Sequence, residues 1–117
     1  MRLSFSLLLL TLFSMVATAQ TLPTFSTDDA ETWYFIQFRN GEAALMDYGE
    51  AKNLQTAEID KSNQAQRWKI VGTQNDCEII GSSGRHIYYN GSRFAASASK
   101  TGHLRLVATN NATYKPA

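Results

Sequence analysis

The stretch Gln66-Arg67-Trp68-Lys69-Ile70-Val71-Gly72 limits this chain more than any other. Trp68 and Ile70 alternate with Arg67, Lys69 and Val71, the period-two pattern of a strand with one strongly apolar face. Burying a Trp side chain removes about 150–250 Å² from water, which is worth about 4–6 kcal/mol as an upper estimate. Gln66 stands two residues before Trp68, so an extended chain turns both side chains to the same face. A buried Gln left without partners costs roughly 1–3 kcal/mol. The stretch therefore reads as a brace, in which Trp68 fills a core and the Gln66 amide ties neighbouring loops.

The chain begins with the signature of a secretory signal over residues 1–19. Met1-Arg2 is a short basic start, residues 3–16 are apolar, and Ala17-Thr18-Ala19 is a small-residue cleavage site. A membrane anchor is the rival reading, but the apolar run falls short of the roughly 20 residues needed to span a bilayer. No cysteine stands directly after the run, which argues against a lipid anchor. Cleavage leaves about 98 residues, enough for one small exported domain. Arg2 leaves with the signal, so the remaining basic residues balance the 10 acidic ones. That balance argues against a nucleic-acid or anionic-membrane partner. Cys77 is the only cysteine, so the domain has no internal disulfide, and a small buried residue opening a strand is the expected role.

Residues 20–32 hold Pro23, Ser26, Asp28 and Asp29 with little periodicity and read as a linker. Residues 33–38 are aromatic and β-branched, a first strand beginning at Trp33, and Asn40-Gly41 is a hairpin turn signal. Further strands are expected over 44–48, 53–59 and 66–71, with a polar loop over 60–65. The pattern then recurs, with strands over 77–80, 86–89, 93–97 and 103–108 separated by Gly81-Ser82-Ser83-Gly84, Asn90-Gly91-Ser92 and Lys100-Thr101-Gly102. No stretch has sustained helical spacing. The fold class is all-β, built from two four-strand units over 33–72 and 73–109. The second is degenerate, with His103-Leu104-Arg105-Leu106 where the first has Gln66-Arg67-Trp68-Lys69.

Four-strand units closed by Gln-x-Trp resemble the ricin-type β-trefoil lectin family. The run from Trp33-Tyr34-Phe35-Ile36-Gln37-Phe38 through the Gln66–Gly72 stretch to Gly84-Arg85-His86-Ile87-Tyr88-Tyr89-Asn90 also resembles modules at the N-termini of secreted Bacteroidetes proteins. The resemblance implies a β-trefoil, in which three such units close a six-stranded barrel capped by hairpins. Only two units are present, so the expectation is a partial β-trefoil, with residues 110–117 leading towards a missing third repeat. A fragment of a longer protein is the favoured explanation. A partner chain that closes the barrel and a degenerate remnant are the alternatives.

In the family's sugar sites an Asp on the second strand accepts from sugar hydroxyls, a hairpin aromatic stacks on the ring, and an Asn-Gln pair precedes the Trp. On this resemblance Asp47 takes the Asp position and Gln66 the Gln position. Ala65 replaces the Asn, with Asn63 nearby, and residues 53–59 carry no aromatic. The second unit has Tyr88 and Tyr89 near the Asp position and no carboxylate. Asp47 reads equally as a turn residue before Gly49. Tyr48, Tyr88, Tyr89 and Phe94 offer flat apolar faces for a sugar ring, although any strand aromatic can instead be core. Tyr88 and Tyr89 are adjacent, so only one points inward. Arg85 suits a carboxylate or sugar acid, with a solvated turn charge as the commoner case.

Signals for catalysis are weak. His86 and His103 lack Cys or His at metal-ligand spacing, so neither a metal nor a cofactor is expected. Gly81-Ser82-Ser83-Gly84 lacks the Lys of a phosphate loop, no Gly-x-Ser-x-Gly turn occurs, and Asp28 and Asp29 sit in the expected linker. Asn90-Gly91-Ser92 and Asn111-Ala112-Thr113 fit the glycosylation sequon, which only a eukaryotic secretory route would use. The expectation is a secreted, non-catalytic carbohydrate-binding module with a glycan as partner, attached to a catalytic domain of a larger protein. The alternative is a structural or protein-interaction trefoil without sugar binding.

Overall fold

The computed structural model of the protein describes residues 22–38 and 41–107. The expected signal peptide, the turn centre at Asn40, the expected lead to a third repeat and the sequon at Asn111 lie outside these residues. Among the described residues seven strands form, β1 (Ala43–Met46), β2 (Lys52–Asn53), β3 (Gln55–Glu58), β4 (Trp68–Thr73), β5 (Asp76–Gly81), β6 (His86–Tyr89) and β7 (Phe94–Ser97). They make two antiparallel sheets, one pairing β1 with β3 and one in the order β2-β7-β6-β5-β4. The described residues contain no α-helix and are all-β.

The two units of the sequence pair in one order. In the first, Tyr34 bridges Trp68, Gln37 bridges Ala44, and Ala44 faces Ala57. In the second, Cys77 bridges Leu104, Ile80 faces His86, and His86 faces Ser97. Every one of these pairings is antiparallel. Leu104 therefore stands where Trp68 stands, one position from the alignment that sets Arg105 against Trp68. A shift of one residue exchanges the faces of a strand, and it turns Leu104 into the core and leaves Arg105 exposed.

Besides the turn at Gln66, four segments differ from expectation, each for a local reason. Residues 33–38 make bridges rather than a continuous strand, because they pass from one neighbour to another. Tyr34 exchanges backbone bonds with Trp68 at 2.7 and 3.0 Å, whereas the Ile36 carbonyl accepts from Leu45 at 2.8 Å. The expected strand over 53–59 divides at Leu54, whose N–H donates to the Phe94 carbonyl at 2.9 Å before β3 turns to β1. Residues 103–107 keep a single bridge, at Leu104, because the chain opposite turns just before β5 begins at Asp76. The expected linker is packed. Pro23 and Ser26 are buried, the Ser26 N–H donates to the Ile70 carbonyl at 2.6 Å, and the Tyr34 hydroxyl accepts from the Thr24 N–H at 2.7 Å. Its lack of periodicity reflects a tight turn at Thr27–Ala30.

Two buried clusters form the core. Tyr34, Ile70 and Cys77 pack with Phe25 and Leu106, while Trp68, Ile87 and Ala96 pack with Ile36, Leu45 and Leu54. Ile79 and Leu104 touch both clusters and join them. Trp33, expected to be structural, is only half-buried and lies under the Lys69 ammonium at 5.4 Å, so Tyr34 is the core aromatic of that segment. Trp68 is fully buried and its indole N–H donates to the Leu45 carbonyl at 3.0 Å. A Cβ on Gly81 would come within 3.1 Å of the indole ring, so only a bare backbone fits against that face.

Gln66 is the last residue of a 3-10 turn, Gln64–Gln66, capped by Asn63, rather than the first residue of a strand. Its fully buried amide accepts from the Asp60 N–H at 2.8 Å and donates to the Ala57 and Glu58 carbonyls at 3.2 and 2.9 Å. Trp68→Ala is expected to lower unfolding free energy by about 3–5 kcal/mol in urea titrations followed by far-UV circular dichroism. Gln66→Leu should cost roughly 1–3 kcal/mol, since three backbone groups lose their partner.

Candidate functional site

Asp47 lies at the end of β1, where the Asp47 N–H donates to the Ala65 carbonyl at 3.0 Å. Its side chain is almost wholly buried. One oxygen accepts from the Gly49 N–H at 2.8 Å, closing a turn. The other accepts from the Ser83 hydroxyl at 2.7 Å and the Arg85 guanidinium at 3.1 Å. The carboxylate is thus held by its own turn and by the turn that follows β5. Burial pushes the Asp47 carboxyl up, but the bonds from Ser83, Gly49 and Arg85 together outweigh it and hold it below the usual range.

Arg85 also approaches Glu50 at 3.7 Å. Glu50 bonds the Ser97 hydroxyl and accepts from the Ala98 N–H at 2.9 Å. The Ser97 hydroxyl first, then the Ala98 N–H and the Arg85 charge, lower its carboxyl. This chain of contacts joins the two units. Arg85 is paired rather than a solvated turn charge, and sequence reading missed Glu50, Ser83 and Ser97, which no short-range pattern links.

The structure does not bring the candidates into one pocket. Asp47 is spent on Ser83 and Arg85, Gln66 is spent on Asp60 and β3, and Asn63 caps a turn. Tyr48 adjoins Asp47 in the chain, whereas Tyr88 and Tyr89 line a separate cleft. Tyr48, Tyr89 and Phe94 are exposed by 44%, 59% and 49%, and Tyr88 is half-buried. Neither Tyr88 nor Tyr89 points into the core, because Ile87 already fills it and the strand ends at Tyr89. The Tyr89 and Phe94 rings meet edge to face with centroids 5.4 Å apart, an arrangement that favours the pair beyond its buried area.

Beside them is a cleft of about 580 Å³ lined by Tyr88, Tyr89, Asn90, Lys100, Thr101, Gly102, His103 and Leu104. Counting back from the pair Trp68 and Leu104, residues 100–102 stand where the first unit has Gln64–Gln66. Gly102 occupies the place of the braced Gln66. A Cβ there would lie 2.1 Å from the Ile87 carbonyl oxygen, so the backbone itself presses on β6. Sequence reading found the turn at Lys100-Thr101-Gly102 and the two tyrosines, but not that they share a cleft.

The histidines are paired with carboxylates. His86 Nδ1 lies 2.5 Å from Glu78, and His103 Nδ1 lies 2.8 Å from Asp76. The bond to Asp76, aided by its charge, pushes the exposed His103 up. Among the described residues no three His, Cys, Asp or Glu side chains converge as a metal would require. The buried Cys77 thiol is pushed up by desolvation, then by Asp76, which disfavours the reactive thiolate.

Asp47 titrates lower in the folded chain than in the unfolded one, so its stabilisation is complete above the unfolded value and is lost as pH falls through the folded value. Asp47→Asn is expected to lose about 1–3 kcal/mol at neutral pH. In acid, below the folded value, the variant and the parent should converge, as read by urea titrations across the pH range.

No protein-family model, curated protein or solved structure matches this chain.

Proposed function

We propose that the protein is a secreted, non-catalytic carbohydrate-binding module, and that the second unit carries its binding surface. The observation that supports this most is the exposed Tyr89–Phe94 pair beside a cleft walled by Tyr88 and Leu104. A pyranose has an apolar C–H face and a polar rim. It suits a surface where aromatic rings stand next to donors such as Thr101 and Lys100. Such a module binds weakly and reversibly, and it raises the effective concentration of whatever it is tethered to at a glycan surface.

The fold we attach to this reading is a partial β-trefoil. The shared pairing order of the two units supports it. So does an apolar groove of about 180 Å³ lined mainly by Pro23, Tyr34, Ile36, Ile70, Ile79 and Leu106, a surface that a third unit would cover. Asp47 and Gln66 serve here as braces rather than as sugar ligands, because their polar atoms are already bonded within the chain.

A second reading is a structural or protein-interaction module. The saturation of Asp47 by Ser83 and Arg85 favours it. A glycan array followed by calorimetry separates the two. Tyr89→Ala and Phe94→Ala should each weaken glycan binding by roughly two- to tenfold, the worth of one aromatic contact, without changing the melting temperature by more than a few degrees. Folded protein that binds no glycan but retains a protein partner supports the second reading.

A further inference from the structure

The cleft of the second unit differs in charge from a site built for neutral sugar. Its lining holds Lys100 and His103 and no carboxylate. By register Tyr89 stands where the first unit has Asp47, so the anionic acceptor that would receive sugar hydroxyls is replaced by an exposed phenol. Among the polar side chains along the wall only Lys100 is purely a donor, since Thr101 both donates and accepts and the Asn90 amide is already bonded to Asn53, Ser92 and Arg93.

The two basic residues are not equivalent. His103 Nδ1 lies 2.8 Å from an Asp76 carboxylate oxygen that stands outside the lining, so whatever charge the ring carries is met there. Lys100 makes no ion pair among the described residues. The net positive charge of the cleft is therefore that of Lys100, and His103 adds a ring nitrogen pointing away from Asp76.

We propose that this cleft selects an anionic saccharide, a pyranose carrying a carboxylate or a sulfate. The sugar face rests on Tyr89, beside Phe94, and the anion meets Lys100. This rests on the glycan-binding reading above and narrows it to a charge class. The ligand brings the negative acceptors that the lining lacks, and its charge is met by an ammonium with no competing carboxylate in the wall. The ion pair is solvent-exposed, so it tunes selectivity more than it adds affinity.

The test is calorimetric titration of the purified protein with α-1,4-linked trigalacturonate, with the methyl ester of the same trisaccharide, and with a sulfated galactose disaccharide beside its unsulfated form. Each anionic sugar is expected to bind more tightly than its neutral counterpart, and the difference should shrink as salt rises. The carboxylate and sulfate pairs then show which anion is preferred. Lys100→Gln should weaken the anionic sugars about two- to fivefold and leave the neutral ones unchanged. Tyr89→Ala should weaken both classes. Circular dichroism melts of each variant establish that the fold is intact.

Equal binding of acid and ester, with Lys100→Gln silent, overturns the charge selectivity while leaving glycan binding in place. Anionic binding that neither Lys100→Gln nor Tyr89→Ala alters puts the site elsewhere and overturns the assignment of this cleft. Absence of binding to any sugar on a broad glycan array by the folded protein overturns both this proposal and the glycan reading beneath it.

Discussion

The Trp68 indole is the contact on which the rest of the structure depends. Its ring is fully buried, its N–H is held by the Leu45 carbonyl, and its backbone exchanges two hydrogen bonds with Tyr34. One residue thus joins β4, the first segment and the end of β1. Gly81 on β5 lies against its ring, so the second unit starts from the same anchor. The geometry is demanding because the indole has an apolar body and a single donor that must find an acceptor once buried.

The two units solve one packing problem with different chemistry. In the first, Gln66 carries an amide that holds the Ala57 and Glu58 carbonyls. In the second, register puts Gly102 at that place, and it has no side chain to offer. The matching residues, Ser97 and Ala98, are held instead by Glu50, which reaches across from the first unit. The brace of one copy is internal and that of the other is borrowed. This couples the two halves through Glu50, Arg85 and Asp47.

The same exchange shapes the candidate binding surface. Where the first unit closes over β1 with a capped 3-10 turn, the second has residues 100–104 and a cleft. Asp47 is occupied by its neighbours, and Tyr89 at the equivalent position is exposed. Function on this surface would therefore come from the unit that departs further from the Gln-x-Trp pattern.

The sequence by itself determined that the described part is all-β, because alternation and turn chemistry act between residues two to four apart. It also singled out Trp68, Cys77 and the turns at Gly81–Gly84 and Asn90–Ser92, each of which states its own role locally. What only the tertiary structure decided was partnership. Whether Arg85 meets Asp47, whether Leu104 or Arg105 faces the core, whether residues 22–32 pack, and whether Lys100 shares a cleft with Tyr88 depend on groups far apart in the chain. Register is set by how whole faces fit together and not by any single residue. A charged side chain reads the same in sequence whether it is solvated or bonded. Its partner, and with it its chemistry, exists only once the strands have closed.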